Sequence, residues 1–174
     1  MEIKKVLIAG GTGFLGYHLI KECQKMGIKV ASLSLNIPEK IHQIKNVDYY
    51  IHDLKYPIEG DLFRSLKDVS YIINSSGYID HSQFCQRGFE VYNQHYLSVI
   101  NLIKFSRLIN LKTFINLGSS DEYGLAKSPI SETQREEPFS PYSLCKLNST
   151  HLLRILYQEE KFPSVVIRPF LVYG

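Results

Sequence analysis

Short apolar runs alternate with longer stretches of helical pattern along this chain, and that alternation restricts the fold more than any other feature. Nearly continuous apolar runs of this length are typical of strands that are buried on both faces. The predicted strands span residues 6–9, 30–35, 47–52, 69–74, 112–117 and 164–167. The predicted helices span residues 13–26, 61–67, 88–109 and 142–160, with an acidic cap at Asp61.

Strands that alternate with helices are joined by crossovers and form a parallel sheet with helices on both faces. The chain has 174 residues, of which 44% are hydrophobic, and this is enough for one domain with a sizeable core. We therefore predict an α/β protein with a doubly wound parallel sheet, formed by residues 1–174 as a single domain.

Composition excludes several other classes of protein. The net charge is +3, with basic and acidic residues interspersed, so no nucleic-acid arm or membrane patch is predicted. No apolar run is long enough for a signal peptide core or a membrane span. Cys23, Cys85 and Cys145 are too widely spaced for a disulfide framework, which is typical of the reducing cytoplasm. The six histidines do not cluster at metal-ligand spacing, so no metal site is predicted.

A glycine-rich segment directly follows the first predicted strand and begins the first predicted helix. Gly10, Gly13 and Gly16 are each three residues apart. Glycine lets the backbone approach a ligand closely, and free N–H groups at a helix start attract a pyrophosphate. The spacing differs from the Gly-x-Gly-x-x-Gly pattern of common dehydrogenases, but its position between strand and helix predicts a dinucleotide site.

Two further positions bear on which dinucleotide binds. The second strand ends near Ser34 with neither an acid nor an arginine, so NAD and NADP both remain open. Asp53 follows the third strand and has two interpretations. It either accepts a hydrogen bond from the adenine amino group or caps a turn in its own loop.

Four tyrosine–lysine pairs have the spacing that places a base and a cation on one helix face. They are Tyr17/Lys21, Tyr123/Lys127, Tyr142/Lys146 and Tyr157/Lys161. Tyr17 lies in the phosphate-binding helix, Tyr123 precedes a loop glycine, and Tyr157 is roughly 22 Å along the helix from Tyr142. Tyr142 begins its helix after a proline-containing loop and follows a strand that ends in serines, so we select Tyr142/Lys146 as the reactive pair.

The order of these motifs resembles the extended short-chain dehydrogenase/reductase family, in particular its nucleotide-sugar epimerases and dehydratases. The segments that carry the resemblance are 10–16, 53–54, 74–77, Asn93 with 101–102, 119–124, 142–146 and 168–174. The resemblance implies a Rossmann-type domain, with the C-terminal substrate domain of the family absent from this chain. It also implies the following NAD(P)-binding residues, with NAD ahead of NADP: Gly10, Gly13, Phe14, Leu15, Gly16, Ser34, Asp53, Leu54, Ser75, Ser76, Gly77, Asn93, Tyr142, Lys146 and Pro169.

The resemblance further implies catalytic roles. Lys146 would bind the nicotinamide ribose and, with the oxidised ring, lower the pKa of Tyr142, which would take a proton from a sugar hydroxyl. Ser119 would orient that hydroxyl, with Ser120 as the rival position. Asn93 is expected to bond locally to the backbone, and Cys145 is expected to be a packing residue.

The function expected from the resemblance is a nucleotide-sugar epimerase that acts at C4. A 4-keto sugar-nucleotide reductase and a 4,6-dehydratase remain open, the latter with Asp121 and Glu122 as acid and base. A module that binds NAD(P) without turnover is the alternative of another class, and this chain alone is expected to bind dinucleotide at most. The family's dimers predict a homodimer through the two long helices that begin near Gly88 and Tyr142.

Overall fold

The computed structural model describes residues 5–174, and within them six parallel strands form one sheet in the order β3-β2-β1-β4-β5-β6. The strands are β1 (Val6–Ala9), β2 (Val30–Ser34), β3 (Val47–Ile51), β4 (Tyr71–Asn74), β5 (Thr113–Leu117) and β6 (Ser164–Ile167). The helices are α1 (Phe14–Lys25), α2 (Gly60–Leu66), α3 (Gly88–Ser106) and α4 (Pro141–Glu160). The predicted α/β fold is confirmed, and residues 1–4 of the predicted domain lie outside the described residues.

Successive side chains of β1 point to opposite faces of the sheet and enter two separate cores. Val6 and Ile8 pack with Ile20 of α1 on one face. Leu7 and Ala9 join the larger core on the other face, which α2, α3 and α4 cover. A strand covered on both faces has no polar side, which explains the continuous apolar run at this point of the sequence.

The strand order reverses between β1 and β4, and this reversal positions the candidate site. The chain runs outward from β1 through β2 to β3 and then returns to β4 on the other side of β1. Ala9 at the end of β1 lies opposite both Leu33 and Asn74. Ligands of open α/β sheets bind in the crevice that such a reversal opens at the carboxyl ends of the strands.

Three local features differ from the sequence prediction. The N-cap of α2 is Glu59, not Asp61, which lies in the first turn and pairs with Arg64. Short 3-10 helices span Lys40–His42 and Ser120–Tyr123, where no helix was predicted. Such turns are too short to give a periodic sequence pattern.

The start of α4 is fixed by a reciprocal cap. Ser140 is the N-cap residue, its Oγ accepts from the N–H of Ser143 at 3.1 Å, and Pro141 opens the first turn. The Ser143 hydroxyl bonds back to the N–H of Ser140 at 2.9 Å. Because this cap fixes where the helix begins, it also fixes the direction in which Tyr142 points.

Candidate functional site

The loop between β1 and α1 leaves the backbone N–H groups at the start of α1 without a side-chain cap among the described residues. Gly13 is the N-cap residue there. Gly10 has a φ of 78°, and a Cβ at this position would lie 2.7 Å from Ser76 Cα. Only glycine allows the loops after β1 and β4 to approach so closely. The exposed N–H groups can hold an anionic group such as a phosphate.

The glycine-loop cavity, which is lined by Gly10 and Gly13 and has a volume of about 500 Å³, lies over the carboxyl ends of β1, β2 and β4. The predicted cofactor-binding residues that line it are Gly10, Gly13, Ser34, Asp53, Leu54, Ser75, Ser76 and Gly77. The predicted residues outside its lining are Phe14, Leu15, Gly16, Asn93, Tyr142, Lys146 and Pro169. Phe14 instead borders an adjoining cavity of about 220 Å³ that shares Thr12 and Gly13 with the first. The structure thus brings residues that follow β1, β2, β3 and β4 to one cavity.

The side chains of Ser34 and Asp53 line this cavity while bonded to other protein groups. Ser34 Oγ accepts from the N–H of Thr12 at 3.2 Å, which leaves its own O–H available to a ligand. Asp53 accepts from the N–H of Lys55 and from Gln94 Nε2, each at 3.0 Å. Burial acts to raise the pKa of Asp53, but these hydrogen bonds outweigh it and lower the pKa. The turn-capping interpretation of Asp53 therefore holds, and the carboxylate also faces the cavity.

Asn93 does not reach the cavity. It lies on the exposed side of α3, whereas Gln94, His95 and Ser98 line the cavity, because helical periodicity turns these positions inward. On the inner side of α3, the amide of Asn101 donates to the Leu54 carbonyl, 47 residues earlier in the chain, at 2.8 Å.

Tyr142 and Lys146 lie on consecutive turns of α4 above the end of β5. Lys146 Nζ is 5.7 Å from the Tyr142 ring centroid and donates to the Leu117 carbonyl at 2.9 Å. Tyr142 is only 7% exposed. The imidazoles of His81 and His95 meet its ring edge-to-face, with centroids 5.7 and 5.3 Å away. Since His95 also lines the glycine-loop cavity, Tyr142 adjoins that cavity across one side chain.

Spacing alone does not distinguish this pair. The distances from Nζ to the ring centroid are 5.4 Å for Tyr17/Lys21, 5.7 Å for Tyr142/Lys146 and 5.6 Å for Tyr157/Lys161. The cation over the Tyr123 ring is instead Arg168, whose Cζ lies 4.8 Å from the ring centroid. Burial separates the helical pairs, since Tyr157 is 54% exposed and Tyr142 is enclosed.

The protein groups by themselves raise the pKa of Tyr142, whereas the lowered pKa implied by the resemblance includes the effect of oxidised nicotinamide. Burial of the phenol raises it, and the hydrogen bond with the Ser119 side chain lowers it only in part. Nearby Asp121 and Glu122 raise it further. Burial also lowers the pKa of Lys146. The protein alone therefore favours a neutral phenol, because removal from water disfavours the charged form of both groups.

The serines after β5 occupy different environments. Ser119 is buried and caps the following 3-10 helix, with its Oγ accepting from the N–H of Asp121 at 3.1 Å. The Ser119 side chain acts to lower the pKa of the Tyr142 phenol. Ser120 is half-buried and donates its N–H to the Pro169 carbonyl at 3.1 Å. Pro169 therefore supports this loop and lies outside the cavity.

A buried ion pair anchors the same loop. Glu122 is fully buried, and its Oε1 accepts from the N–H of Ser119 at 2.9 Å. Its Oε2 lies 2.8 Å from Arg168 Nε. Arg168 also donates to the Tyr123 hydroxyl at 2.8 Å and to Glu136 at 3.0 Å. Oε1 of Glu122 thus holds the Ser119 backbone, while Oε2 is paired with the Arg168 guanidinium.

Sequence reasoning missed His95, Gln94 and the Glu122–Arg168 pair. His95 lies four residues after buried Val91 and four before buried Val99, so helical periodicity could have placed it on the inner face of α3. Nothing in the spacing of Glu122 and Arg168, which are 46 residues apart, indicates that they meet.

A larger cavity, of about 610 Å³, lies between α4, β6 and the segment 130–136. Among the described residues its lining includes Glu136, Thr150 and Arg168 but none of the predicted site residues. In residues 5–174 no helix combines the length and hydropathy needed to cross a bilayer. That part of the chain also has no cluster of three or more His, Cys, Asp or Glu able to hold a metal ion.

Known proteins share this architecture. The UDP-N-acetylglucosamine 4-epimerase of Methanobrevibacter ruminantium superposes with a TM-score of 0.86 at 23% identity, over 100% of this chain and 57% of that one. The NAD complex of UDP-glucuronic acid 4-epimerase from Bacillus cereus superposes with a TM-score of 0.84 at 23% sequence identity. The match covers 98% of this chain and 57% of that one. These likenesses define the class of protein as an α/β protein of the Rossmann type.

The model of the NAD dependent epimerase/dehydratase family matches residues 6–174, and the chain belongs to that family. An uncharacterized UDP-glucose epimerase of Bacillus subtilis is 27% identical over 189 residues, which cover 98% of this chain and 57% of the relative. The chain thus spans little more than half the length of that relative. The family resemblance predicted from the sequence is confirmed.

Proposed function

We propose that residues 1–174 form one NAD(P)-binding domain that carries the catalytic residues of a nucleotide-sugar 4-epimerase. One observation carries the proposal: the enclosed Tyr142 adjoins, across His95, the cavity that the glycine loop borders. A base next to a dinucleotide pocket is the arrangement that oxidation of a sugar hydroxyl requires.

In this mechanism Tyr142 takes the proton of the C4 hydroxyl, and Ser119 orients that hydroxyl by hydrogen bonding. Lys146 is held over the Tyr142 ring by its bond to Leu117 and favours the phenolate. A dinucleotide bound in this cavity would supply the hydride acceptor and, in its oxidised form, positive charge near the phenol. Since burial raises the pKa of Tyr142, the ammonium of Lys146 has to counter that effect during turnover.

We propose NAD ahead of NADP. The hydroxyl of Ser34, at the end of β2, has a hydrogen to donate, and the cavity contains the ionised Asp53. The Asp53 carboxylate disfavours one more phosphate through charge repulsion, and Lys55 Nζ, 3.0 Å from Oδ2, offsets part of that repulsion. Comparing the binding of NADH and NADPH to the chain tests this, and tighter NADPH binding would reverse the assignment.

The dehydratase alternative is weakened by Glu122. A 4,6-dehydratase needs a free acid and a free base near the serine. Here Glu122 is fully buried and engaged by Ser119 and Arg168. The reductase alternative would use the same Tyr142 and differs in consuming NAD(P)H stoichiometrically.

Nucleotide-sugar turnover by the full-length protein, before and after Tyr142→Phe, tests the proposal. We expect the variant still to bind dinucleotide, because the other binding residues are intact, and to lose about 10²–10⁴-fold in kcat, because one proton-transfer group is gone. Tyr157→Phe is the matched control, since Tyr157 has the same lysine spacing but is exposed. Full turnover by Tyr142→Phe would remove the assigned base, and failure to bind either dinucleotide would remove the whole proposal.

We also propose a homodimer through α3 and α4, which pack side by side. Both helices carry exposed large apolar side chains, namely Phe89 and Leu97 on α3 and Ile155 on α4. Surfaces of this kind are typical of protein interfaces. Analytical ultracentrifugation should give twice the chain mass, and Leu97→Glu with Ile155→Glu should give the monomer. A wild-type monomer at micromolar concentration would contradict the proposal.

A further inference from the structure

His95 is a buried polar side chain in the cavity wall that has an unpaired nitrogen. The residue is 5% exposed and lines the glycine-loop cavity from α3. Its Nε2 has no hydrogen-bond partner among the described residues. An unpaired buried acceptor or donor costs about 1–3 kcal/mol, so such groups in proteins almost always have a partner.

The loop after β4 fixes the orientation of the ring. Gly77 has a φ of 126°, and a Cβ there would collide with Cε1 and Nδ1 of His95, whereas Nε2 would lie 3.7 Å away. Nδ1 therefore faces the Gly77–Tyr78 backbone, and Nε2 points away from it. The rings of Tyr78 and Tyr142 pack against the imidazole at 5.1 and 5.3 Å, which restricts it further.

The imidazole is neutral near pH 7. Burial, and secondly the positive charge of Lys146, lower the pKa of His95 from 6.5 to about 4. A hydrogen bond with the Tyr78 backbone acts in the opposite direction, which is the effect of a carbonyl that accepts from a ring N–H. With Nδ1 donating to that backbone, Nε2 carries the lone pair and is an acceptor.

We propose that Nε2 of His95 accepts a hydrogen bond from an N–H or O–H group at the nicotinamide riboside end of the bound dinucleotide. The contact of His95 with Tyr142 selects this end, because Tyr142 is the residue assigned to the redox chemistry. The inference rests on the proposed dinucleotide function and adds a residue that both holds the ligand and borders the base. Gly77 is then required because a side chain there would displace this acceptor.

Two groups of the ligand have the necessary chemistry, the carboxamide N–H and the ribose hydroxyls, and three probes distinguish them. NAD⁺ has both groups. The 3-acetylpyridine analogue keeps the ribose but lacks the amide N–H, and ADP-ribose lacks the whole nicotinamide ring. Calorimetry measures the binding of each probe to wild type, His95→Phe and His95→Gln, with His18→Phe on the exposed side of α1 as the matched control.

We expect His95→Phe, which keeps an aromatic ring against Tyr142, to weaken NAD⁺ binding about 5- to 50-fold. His95→Gln, whose amide oxygen is an acceptor, should restore part of the affinity, and His18→Phe should bind as wild type does. If the carboxamide is the donor, only NAD⁺ is affected; if a ribose hydroxyl is the donor, all three probes lose affinity. Either pattern supports the inference.

The inference and the proposed function fail in different ways. If folded His95→Phe binds all three probes as wild type does, His95 is not a ligand contact, and the proposed function stands. If wild type binds none of the probes, both are wrong. Thermal melting of each variant checks folding. If His95→Phe does not fold, the ¹⁵N spectrum of the wild-type imidazole decides, and an Nε2 signal that does not shift with NAD⁺ overturns the inference. In wild type, ¹⁵N spectra of the imidazole should shift at Nε2, not at Nδ1, when NAD⁺ is added.

Discussion

At the scale of single residues, burial gives identical side chains different chemistry. Three tyrosines have a lysine at nearly the same distance from the ring, yet only Tyr142 is enclosed by two imidazoles and a serine-bearing loop. The cost of removing the phenolate charge from water is the largest cause of the raised pKa of Tyr142. The pKa of such a residue therefore depends on the groups that bury it as well as on the lysine four residues along the helix.

Cys145 illustrates the same effect in a group without a proposed role. Burial raises the pKa of its thiol to about 12, so almost no thiolate exists at pH 8. We expect exposed Cys85 to react with Ellman's reagent within seconds to minutes, and Cys145 to react only after denaturation. Rapid modification of Cys145 in the native protein, measured by peptide mass spectrometry, would contradict its burial.

His95 gives stability a predictable pH dependence. Its pKa is lowered from 6.5 to about 4 on folding, so between these values the unfolded chain binds a proton that the folded one does not. The free energy of unfolding should therefore fall as the pH drops from 6.5 to 4, by ~3 kcal/mol in total. Urea titrations across this range should show a smaller fall for His95→Phe.

The matched control is His42, which is exposed in the 3-10 helix Lys40–His42. His42→Phe should leave the pH dependence of stability as it is in wild type. An equal slope in His95→Phe and wild type would mean that His95 takes up its proton in the folded state.

At the scale of elements, the 3-10 helix after β5 is held by a buried charge pair as well as by the buried ring of Tyr123. Glu122 lies beneath the Ser119 backbone, and Arg168, just beyond β6, reaches across to it. The cap of α4 fixes Tyr142 from the other side. Two independent elements therefore set the distance between the proposed base and the proposed orienting serine.

Arg168→Met should destabilise the protein by about 3–5 kcal/mol, because it leaves Glu122 as an unpaired buried charge. The control is Arg107→Met, which removes the half-exposed Arg107–Glu160 pair and should cost at most ~1 kcal/mol. Denaturant unfolding measures both variants. Adding Glu122→Gln to Arg168→Met should recover part of the loss, and a double variant no more stable than Arg168→Met would show that the buried charge is not its cause.

At the scale of the whole molecule, the cavity exists because loops far apart in the sequence meet where the strand order reverses. Gly10 after β1 and Ser76 after β4 are 66 residues apart, and they approach within backbone contact. The parallel register of β1 with β4 brings their carboxyl ends level. The cavity is thus a property of topology and not of either loop alone.

Gly10→Ala tests this contact. Its Cβ would lie 2.7 Å from Ser76 Cα at a φ of 78°, so we expect a loss of stability of roughly 3 kcal/mol or more together with loss of dinucleotide binding. Gly27→Ala is the control, since its φ is 69° but its Cβ would meet nothing within 4 Å. That variant should cost only ~1–2 kcal/mol, from backbone strain alone, and should bind as wild type does. Equal losses of stability in the two variants would argue against the steric contact.

The strands, the helices and the glycine loop could be predicted because each depends on residues that are close together in the sequence. The predicted strand and helix positions agree with the structure to within a few residues, because strand burial and helical periodicity leave a signature in neighbouring residues. The glycine segment predicted the loop that borders the cavity, because a tight turn with close backbone approach requires glycine. The burial of Cys145 also agrees with the packing role expected for it.

The sequence by itself determined the alternation of strands and helices, the glycine loop and the pairing of Tyr142 with Lys146 on one helix face. The tertiary structure alone decided that Asn93 faces away from the cavity, that Glu122 is held by Arg168, that His95 stands between Tyr142 and the cavity, and that the Tyr142 pKa is raised. The physical reason is that helical spacing and turn geometry act between near neighbours in the chain. Desolvation and long-range ion pairing depend on which distant segments surround a group, and only the folded chain fixes that.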